Sequence, residues 1–184
     1  SLVKESWDAF FNGNFPEGCD VVIGDEVTFT DGVTTRTHTV RALAYNAVDL
    51  AADTVSGTAE TGATVYVWAW DAGTEVAALA TGSDWEVDFA AQGVDLVEGM
   101  TIRAEIRDEL LNTTTVDYTI PNPRFTVFPE WNFFDGLDWP DGALVEISVA
   151  GEPECSLVKE SWDAFFNGNF PEGCDLVLGD EVTF

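Results

Sequence analysis

The sequence predicts an all-β protein built from β-sandwich modules in tandem, two for each repeat of the sequence. Many short segments rich in β-branched and aromatic residues are separated by Gly-, Asn- and Asp-containing turns, the pattern of an all-β sandwich. Hydrophobic residues make up 46% of the 184 positions, with 13 Phe and 7 Trp, enough to fill packed cores. A long internal repeat, described next, indicates that the modules recur.

The repeat consists of residues 1–29 and residues 156–184, which read SLVKESWDAFFNGNFPEGCDVVIGDEVTF and SLVKESWDAFFNGNFPEGCDLVLGDEVTF. The two copies differ only where Val21 and Ile23 are replaced by Leu176 and Leu178. The second copy begins 155 positions after the first, so the chain spans one period and the start of the next. Two interpretations follow, a window of a longer array or a protomer that offers the same segment at both ends. Both make assembly the first functional hypothesis.

The chain is strongly acidic, with 34 Asp and Glu against 7 Lys and Arg and a formal net charge of -27. Such a surface repels phosphate backbones and anionic membranes, which argues against nucleic acid as a partner. No run of 18 apolar residues occurs, so we expect no membrane insertion. The charge is compatible with a solvated surface, with cation binding or with a saline exterior.

The three cysteines fit the repeat. Cys155 and Cys174 lie 19 positions apart in a loop-rich stretch, and we expect a disulfide between them, although two buried thiols are the alternative. Cys19 is the copy of Cys174, and we expect its partner to lie outside this chain. A disulfide implies an oxidising compartment outside the cytoplasm.

The first 43 residues predict strands. Residues 1–15 fit a helix or a strand, and β is favoured because Asn12-Gly13 is a hairpin signal. Residues 21–29 predict a strand with a bulge at Gly24, followed by a turn at Thr30-Asp31-Gly32 and a second strand at 33–43. These two strands form a predicted β-hairpin. A link of small residues follows at 44–53.

A second set of strands begins at Thr54 and ends before Pro121-Asn122-Pro123, where two closely spaced prolines break regular structure. Turn residues separate its members, as expected of a sandwich. The six predicted strands are residues 54–58, 63–70, 75–80, 84–90, 100–107 and 114–120.

Part of this region resembles the bacterial Ig-like modules found in tandem on surface proteins and adhesins. The resemblance covers about residues 52–120 and is carried by four short motifs: Val55-Ser56-Gly57, Glu60-Thr61-Gly62-Ala63-Thr64-Val65, Asp84-Trp85-Glu86-Val87 and Gly99-Met100-Thr101-Ile102. It implies an Ig-like β-sandwich that acts as an extracellular spacer or stalk, without catalytic residues.

The predicted domains are residues 1–44, 45–120 and 121–184. Residues 124–128 and 144–149 predict strands of a module that continues through the second copy. It contains no equivalent of residues 30–43, whereas residues 1–44 form the back half of the same module. An array would join the two halves, and separate protomers would donate strands to one another, because an unpaired sheet edge is a template for pairing. The expected partner is therefore the protein itself.

Catalytic chemistry has little support in the sequence. His38 is the single histidine and stands in a Thr-rich strand, so a surface or edge role is expected, and no Ser-His-Asp or zinc-ligand set can be assembled. Carboxylate pairs for glycoside hydrolysis are abundant, but no pair is distinguished. The sequence predicts a protein that is not an enzyme.

One loop could bind a cation. Asp135, Asp138 and Asp141 recur at three-residue spacing in a stretch rich in Gly and Pro, and carboxylate oxygens suit calcium, the one candidate cofactor. The order differs from an EF-hand loop, and Asp-Gly pairs are common in plain turns, which are the alternative.

Aromatic residues mark a candidate partner surface. Tyr66, Trp68 and Trp70, here called the aromatic stripe, alternate with aliphatic residues, and only one face of a strand can line the core. The stripe either packs in the core or faces outward toward a protein partner or the flat face of a glycan. A second aromatic group, Trp131, Phe133, Phe134 and Trp139, favours a core or a contact between modules.

Together these features predict a structural protein at the cell surface or outside the cell, a fibre, stalk or filament of β modules joined end to end. The alternative is an adhesin or carbohydrate-binding repeat that uses the aromatic stripe. A third and weaker alternative is a polysaccharide-active enzyme.

Overall fold

The computed structural model describes residues 13–174 and 176–184. In the described residues the regular structure is β, interrupted by two 3-10 turns at Ala90–Gln92 and Pro129–Trp131. The strands are β1 (Glu26–Thr30), β2 (Thr35–Thr39), β3 (Leu43–Asp49), β4 (Thr54–Ala59), β5 (Thr64–Ala69), β6 (Thr74–Leu79), β7 (Asp84–Asp88), β8 (Thr101–Arg107), β9 (Thr113–Thr119), β10 (Arg124–Phe128), β11 (Phe133–Leu137), β12 (Leu144–Val149), β13 (Glu152–Glu160), β14 (Phe165–Asn169) and β15 (Val182–Thr183).

The described chain divides into two compact units. The first comprises residues 13–96 and 101–118, and the second comprises residues 97–100, 119–174 and 176–184. The expected boundary near residue 120 therefore falls close to a boundary between units. The expected boundary at residue 44 falls inside the first unit.

The first unit contains a β-sandwich of two antiparallel sheets, ordered β3-β4-β7 and β6-β5-β8-β9. Alternation of apolar and polar residues produces it, since every second side chain of a strand faces the core. Residues 44–49, predicted as a link, are instead most of β3, because pairing with β4 outweighs their small-residue composition. The core side chains are Val55, Val65, Val67, Ala69, Trp85, Val87, Phe89, Ile102, Ala104 and Ile106.

The first unit also contains the predicted hairpin, β1 paired with β2 from Glu26↔Thr39 to Thr30↔Thr35. Its turn is held by the carboxylate of Asp31, which accepts from the N–H groups of Val33 and Thr34 at 2.8 and 2.5 Å. These bonds lower the pKa of Asp31. Gly24, at φ 94°, lies at the predicted bulge. Its N–H donates to the carbonyl of Val40, whose own N–H donates to Asp25.

The second unit contains two three-stranded antiparallel sheets, β10-β11-β14 and β13-β12-β15. A disulfide joins Cys155 and Cys174, the pair that the sequence predicts, with the Cα atoms 5.2 Å apart. Both cysteines lie in the core of this unit. The other buried members of that core are Phe134, Val145, Ile147, Val149, Phe166, Phe170 and Leu176.

The two units repeat one strand plan. The strands are counted from β3 in the first unit and from β10 in the second. In both units the first, second and fifth strands form one sheet, and the other sheet has the order fourth, third, sixth. The register agrees, since Ala69 pairs with Ile102 in the first unit and Val149 pairs with Val182 in the second. A seventh strand, β9, completes the larger sheet of the first unit. The second unit is thus a sandwich of the same kind, and six of its strands lie in the described residues.

A glycine opposite an aromatic ring recurs at the same place in both plans. Gly57 on β4 pairs with Trp85 on β7, and Gly136 on β11 pairs with Phe166 on β14. A Cβ atom at Gly57 would lie 2.3 Å from the ring of Trp85, and one at Gly136 would lie 2.2 Å from the ring of Phe166. Glycine is required at both positions because the ring occupies the space of a Cβ atom, as does the carbonyl of Ala44 at Gly57, 2.0 Å away.

The sequence expectation for residues 1–15 lies largely outside the described residues, but its counterpart in the second copy is described. Residues 156–160 belong to β13, and 165–169 form β14. The hairpin signal Asn12-Gly13 corresponds to Asn167-Gly168, which lies inside β14 opposite Phe134 and not in a turn. A Cβ atom at Gly168 would lie 3.2 Å from the Phe134 ring and 2.8 Å from the end of the flexible Lys159 side chain.

Candidate interaction surfaces

The aromatic stripe faces outward from β5. Val65, Val67 and Ala69 are fully buried on one face of the strand, which leaves Tyr66 and Trp68 half-buried on the other. Trp70, just beyond the strand, is 50% exposed. Trp68 and Trp70 meet edge to face with ring centroids 5.6 Å apart. The stripe therefore lies on the outer surface of the four-stranded sheet.

Two arginines of β8 cover the stripe. The guanidinium of Arg107 lies 4.0 Å from the Tyr66 ring centroid, and that of Arg103 lies 5.3 Å from the Trp70 centroid. Both distances are within the range of cation–π attraction. Register explains the placement, because β5 and β8 are adjacent and Trp68 pairs with Arg103. Ring faces that a flat ligand would use are thus partly occupied by the protein's own side chains.

Carboxylates hold these arginines in place. Arg103 donates to Asp117 at 2.6 and 2.8 Å, and this bidentate contact lowers the pKa of Asp117. Arg107 donates to Glu75 and to Glu105, and its pKa is raised, chiefly by its bond to Glu75. The outer face of the sheet is therefore a network of rings, guanidinium groups and carboxylates.

The β-sandwich fold does not require aromatic residues at the positions of the aromatic stripe. The strand plan places β12 where β5 stands, and the inward positions of β12 are also buried apolar residues. Its outward residues are Glu146 and Ser148, with exposed Ala150 just beyond the strand. The stripe is consequently a feature of the first unit's surface and not of the β-sandwich as such.

The structure does not bring the candidate calcium ligands together. Asp135 lies in β11, Asp138 forms an ion pair with Arg124, and Asp141 accepts from the N–H of Asp163 at 2.9 Å. One oxygen of Asp135 is buried without a hydrogen-bond partner. Among the described residues, the one metal-sized group of His, Cys, Asp and Glu side chains is Glu152 with Cys155 and Cys174, whose sulfur atoms are bonded to each other.

His38 is a half-buried residue of β2 that joins the hairpin to the sandwich of the first unit. Its Nδ1 lies 3.2 Å from the Asp108 carboxylate and its Nε2 lies 2.9 Å from the Thr114 hydroxyl. The backbone N–H of Arg41 also donates to Thr114, at 3.0 Å. These contacts make His38 a structural residue at this junction, in keeping with the edge role expected from the sequence.

The second aromatic group is divided. Phe134 is fully buried in the second unit, where it meets Phe170 edge to face at 5.0 Å, and Trp139 packs against Phe166. Trp131 is exposed and stacks on Phe128. Of this group, expected in a core or in a contact between modules, Trp131 is therefore a surface residue.

The two copies of the repeat differ in burial although their sequences are almost the same. Phe15 is 46% exposed, whereas its counterpart Phe170 is 4% exposed. Val21 is 37% exposed, whereas its counterpart Leu176 is 8% exposed. In the second copy these side chains are covered by β11 and β12 with their neighbours, and the first copy has no such cover within the described residues.

Four apolar side chains of the first copy, three of them exposed and one half-buried, line one surface, here called the hairpin face. A groove of about 310 Å³ in the second unit and one of about 420 Å³ beside the hairpin mark the corresponding regions of the two copies. Four residues of the repeat line the groove beside the hairpin, and their counterparts all belong to or pack on the core of the second unit. They are Phe15, Val21, Val27 and Phe29.

Two similar segments of the sequence indicate the shared strand plan, although the predictions above did not use them. Residues 95–102 read DLVEGMTI, and residues 175–182 read DLVLGDEV. Leu96 and Leu176 are both buried, and Gly99 and Gly179 both have positive φ. An alignment of these two segments relates the two modules by their residues alone.

Cys19 is exposed and carries a free thiol in this chain. In the second copy the equivalent Cys174 is bonded to Cys155, the residue immediately before that copy. A partner for Cys19 outside the chain stays a prediction.

No known protein family matches this chain, and a comparison with curated proteins finds no match. Among solved structures, the chain is similar to the crystal structure of a tetra-tandem repeat in the extending region of a large adhesion protein. The two are 15% identical, with a TM-score of 0.28 over 74% of this chain, which spans 42% of that one. No described helix is long and apolar enough to cross a membrane. The all-β sandwich assignment rests on the strands themselves.

Proposed function

We propose that this chain belongs to a structural protein outside the cell whose β-sandwich modules join end to end into a fibre, stalk or filament. One observation carries the proposal: Phe15, Val21 and Phe29 of the hairpin face are exposed in the first copy, whereas in the second copy the counterparts of the hairpin face are buried or packed against the core. Repeated copies of one chain, or of one repeat, can bury this face against each other. Contacts that are not closed by symmetry propagate into filaments.

The energy available is substantial. Burying a large apolar side chain stabilises an interface by about 1.5–3 kcal/mol, and the hairpin face carries four. Association must overcome losses of translational and rotational freedom of about 4–15 kcal/mol. Neighbouring modules on one polypeptide avoid most of that cost, since their joining is intramolecular. Covalent tandem repeats are therefore the more favourable arrangement.

An extracellular location follows from the same proposal. A disulfide in each repeat is stable in an oxidising compartment. The high negative charge keeps a long polymer soluble, since like-charged surfaces repel one another. The proposal assigns no catalysis to the chain.

Sedimentation velocity over a wide concentration range tests the fibre. We expect a ladder of end-to-end oligomers for the native chain and a shift toward single copies for Phe15→Asp, which places a charge in the hairpin face. Val33→Asp is the matched control, because Val33 lies in the same hairpin and is almost fully exposed. A single monomeric species at every concentration for all three proteins would contradict the proposal.

The second candidate function is an adhesin or carbohydrate-binding repeat that uses the aromatic stripe. It is favoured by the presence of Tyr66, Trp68 and Trp70 where the equivalent strand carries small or charged residues. Retention on immobilised glycans tests it, with Trp70→Ala as the variant and Trp131→Ala, an exposed tryptophan of the second unit, as the control. Loss of retention confined to Trp70→Ala supports this function, and equal retention by both variants rejects it.

A further inference from the structure

The edge of β15 in the second unit is open among the described strands. β15 pairs with β12 through Ser148↔Thr183 and Val149↔Val182, and it has no described strand on its other side. The N–H of Ala150 donates to the carbonyl of Glu181 at 2.9 Å, which directs the backbone of Glu181 and Thr183 toward β12. Because alternate residues of an antiparallel strand bond to opposite neighbours, the N–H and C=O of Val182 point to the open edge.

The first copy identifies the strand that fits this edge. Residues 179–184 have the same sequence as residues 24–29, and in the first copy that segment pairs with β2. There Val27 pairs with His38, and the N–H of Val40 donates to Asp25 at 2.8 Å, so alternate residues from Asp25 to Phe29 bond toward β2. Val27 is the counterpart of Val182. The backbone groups that bond to β2 in the first copy therefore have no described strand to bond in the second copy.

The open edge already has the shape that β2 requires. Asp180 N–H donates to the carbonyl of Val177 at 3.3 Å, as Asp25 N–H does to Val22 at 3.1 Å. The Asp180 carboxylate accepts from the N–H of Val177 at 2.8 Å, matching 2.9 Å in the first copy. Gly179 has φ 111° where Gly24 has φ 94°. A preformed edge binds a strand without the cost of ordering it.

A groove beside the edge can receive the side chains of the added strand. It is lined by Phe125 and Val127 of β10, by Val182 and by residues 176–180. The register of the first copy places Val40 opposite Asp180 and His38 opposite Val182, on the face of the sheet that this groove borders. In the first unit the equivalent place is filled by β9, where the hydroxyl of Tyr45 on β3 donates to the carbonyl of Val116.

We infer that a strand with the sequence of residues 35–40, the segment that follows this strand in the repeat, adds to the open edge of β15 as the seventh strand of the second sandwich. His38 would exchange both backbone hydrogen bonds with Val182, and Val40 would bond to Gly179 and Asp180. The inference names the strand that completes the second sandwich in the proposed fibre and rests on that proposal, since a further stretch of the repeat must supply the strand. It is β-strand addition with a defined sequence and register.

The test uses the full chain, diluted until sedimentation shows single copies, and a synthetic peptide of residues 30–43. Amide exchange at Val182, followed by NMR, reports occupation of the edge. We expect saturable binding and exchange slowed by about tenfold or more. A scrambled peptide that protects Val182 equally would show that the edge accepts any strand and would overturn the assignment.

Two peptide variants test the register. His38→Pro removes the N–H that would bond to Val182, and we expect it to abolish protection. Thr37→Pro is the matched control, because the N–H of Thr37 points away from the edge and proline is tolerated on the outer side of an edge strand. Equal binding of the two variants would contradict the proposed register.

A longer chain tests the same strand pairing if the free peptide binds too weakly to be detected. Residues 30–43 are appended after Phe184, and we expect protection of Val182 that is lost when the appended copy carries the His38→Pro change. Absence of protection in both experiments overturns the inference. Peptide binding by a chain that never assembles would overturn the fibre and keep the strand pairing. Assembly without protection of Val182 would keep the fibre and overturn the strand pairing.

Discussion

At the scale of single residues, the most constrained positions are the glycines that lie under aromatic rings. Gly57 and Gly136 occupy equivalent places, and at each a Cβ atom would overlap the ring across the sheet. The ring of Trp85 or Phe166 fills the space that a side chain would take. These glycines allow a large core side chain to pack on the backbone.

We expect Gly57→Ala to lower the free energy of unfolding by about 1–3 kcal/mol or more, since overpacking displaces the Trp85 ring. Urea unfolding followed by tryptophan fluorescence measures the change. Ser56→Ala is the control, because Ser56 neighbours Gly57 in the same strand and faces the other side. Equal stability of Gly57→Ala and Ser56→Ala would show that the ring is not held against the backbone.

Asp108 is an acidic residue whose ionisation is coupled to the folded structure. Its carboxylate accepts from the side chain and the backbone of Asn112 at 2.7 and 2.9 Å and contacts His38. These bonds, the Asn112 side chain first, lower the pKa of Asp108 from 3.8 to about 2. A carboxyl group with a lowered pKa in the folded state stabilises the fold above its unfolded pKa, and this contribution is lost as the pH falls toward the folded value.

We therefore expect the stability of the native chain to fall between pH 4 and pH 2 partly through Asp108, and Asp108→Asn to flatten that part of the profile. Circular dichroism during acid titration provides the measurement. Glu109→Gln, which changes the next residue, serves as the control. An acid limb that is the same for both variants would show that the bonds of Asp108 do not contribute.

At the scale of elements, the second unit depends on its disulfide as well as its strands. Cys155 in β13 and Cys174 after β14 are both buried in the core, so the bond ties a strand to the loop before β15. A crosslink between residues 19 positions apart limits the number of conformations of the unfolded chain.

We expect Cys155→Ala with Cys174→Ala to lower the free energy of unfolding of this unit by about 3 kcal/mol through loop-closure entropy. Thermal unfolding with and without a reductant measures the loss. Cys19→Ser should leave stability unchanged, since Cys19 is an exposed thiol. If reduction does not destabilise the native chain, the disulfide is not present in solution.

The loop between β11 and β12 illustrates an element whose carboxylates are already used. Asp138 pairs with Arg124, and Asp141 caps the N–H of Asp163. We expect millimolar calcium and a chelator to give the same unfolding temperature, because these oxygens hold protein groups. A rise with calcium that Asp141→Asn removes would reinstate the calcium site; Asp163→Asn is the control.

At the scale of the whole molecule, the proposed fibre is a polymer of sandwiches. The denatured and reduced mass of the native material decides how the polymer is joined. We expect masses that step by one 155-residue period, as a continuous array requires. A single species near 20.0 kDa would instead make each chain a protomer, so that strand addition between chains would have to supply the seventh strand.

The sequence alone determined the local structure, and the repeat demonstrates it. Both copies form the same turns, with Cys19 donating to Pro16 at 3.0 Å and Cys174 to Pro171 at 3.1 Å. Bonds within a few residues need only those residues and a glycine with positive φ. Strand positions at 124–128 and 144–149 and the all-β class were predicted for the same reason, since alternation is a local property. The disulfide partners were predicted from the repeat, which places Cys155 immediately before the second copy and Cys174 within it.

Tertiary structure decided what the local pattern leaves open. Asn167-Gly168 became strand instead of turn because Phe134 and β11 lie beside it, and residues 44–49 became β3 because β4 pairs with them. Burial was also a tertiary outcome: Phe15 and Phe170 have the same neighbours in sequence, but within the described part of the chain only Phe170 has a facing sheet. A segment encodes its turns, whereas its core is formed by whichever strands come to cover it.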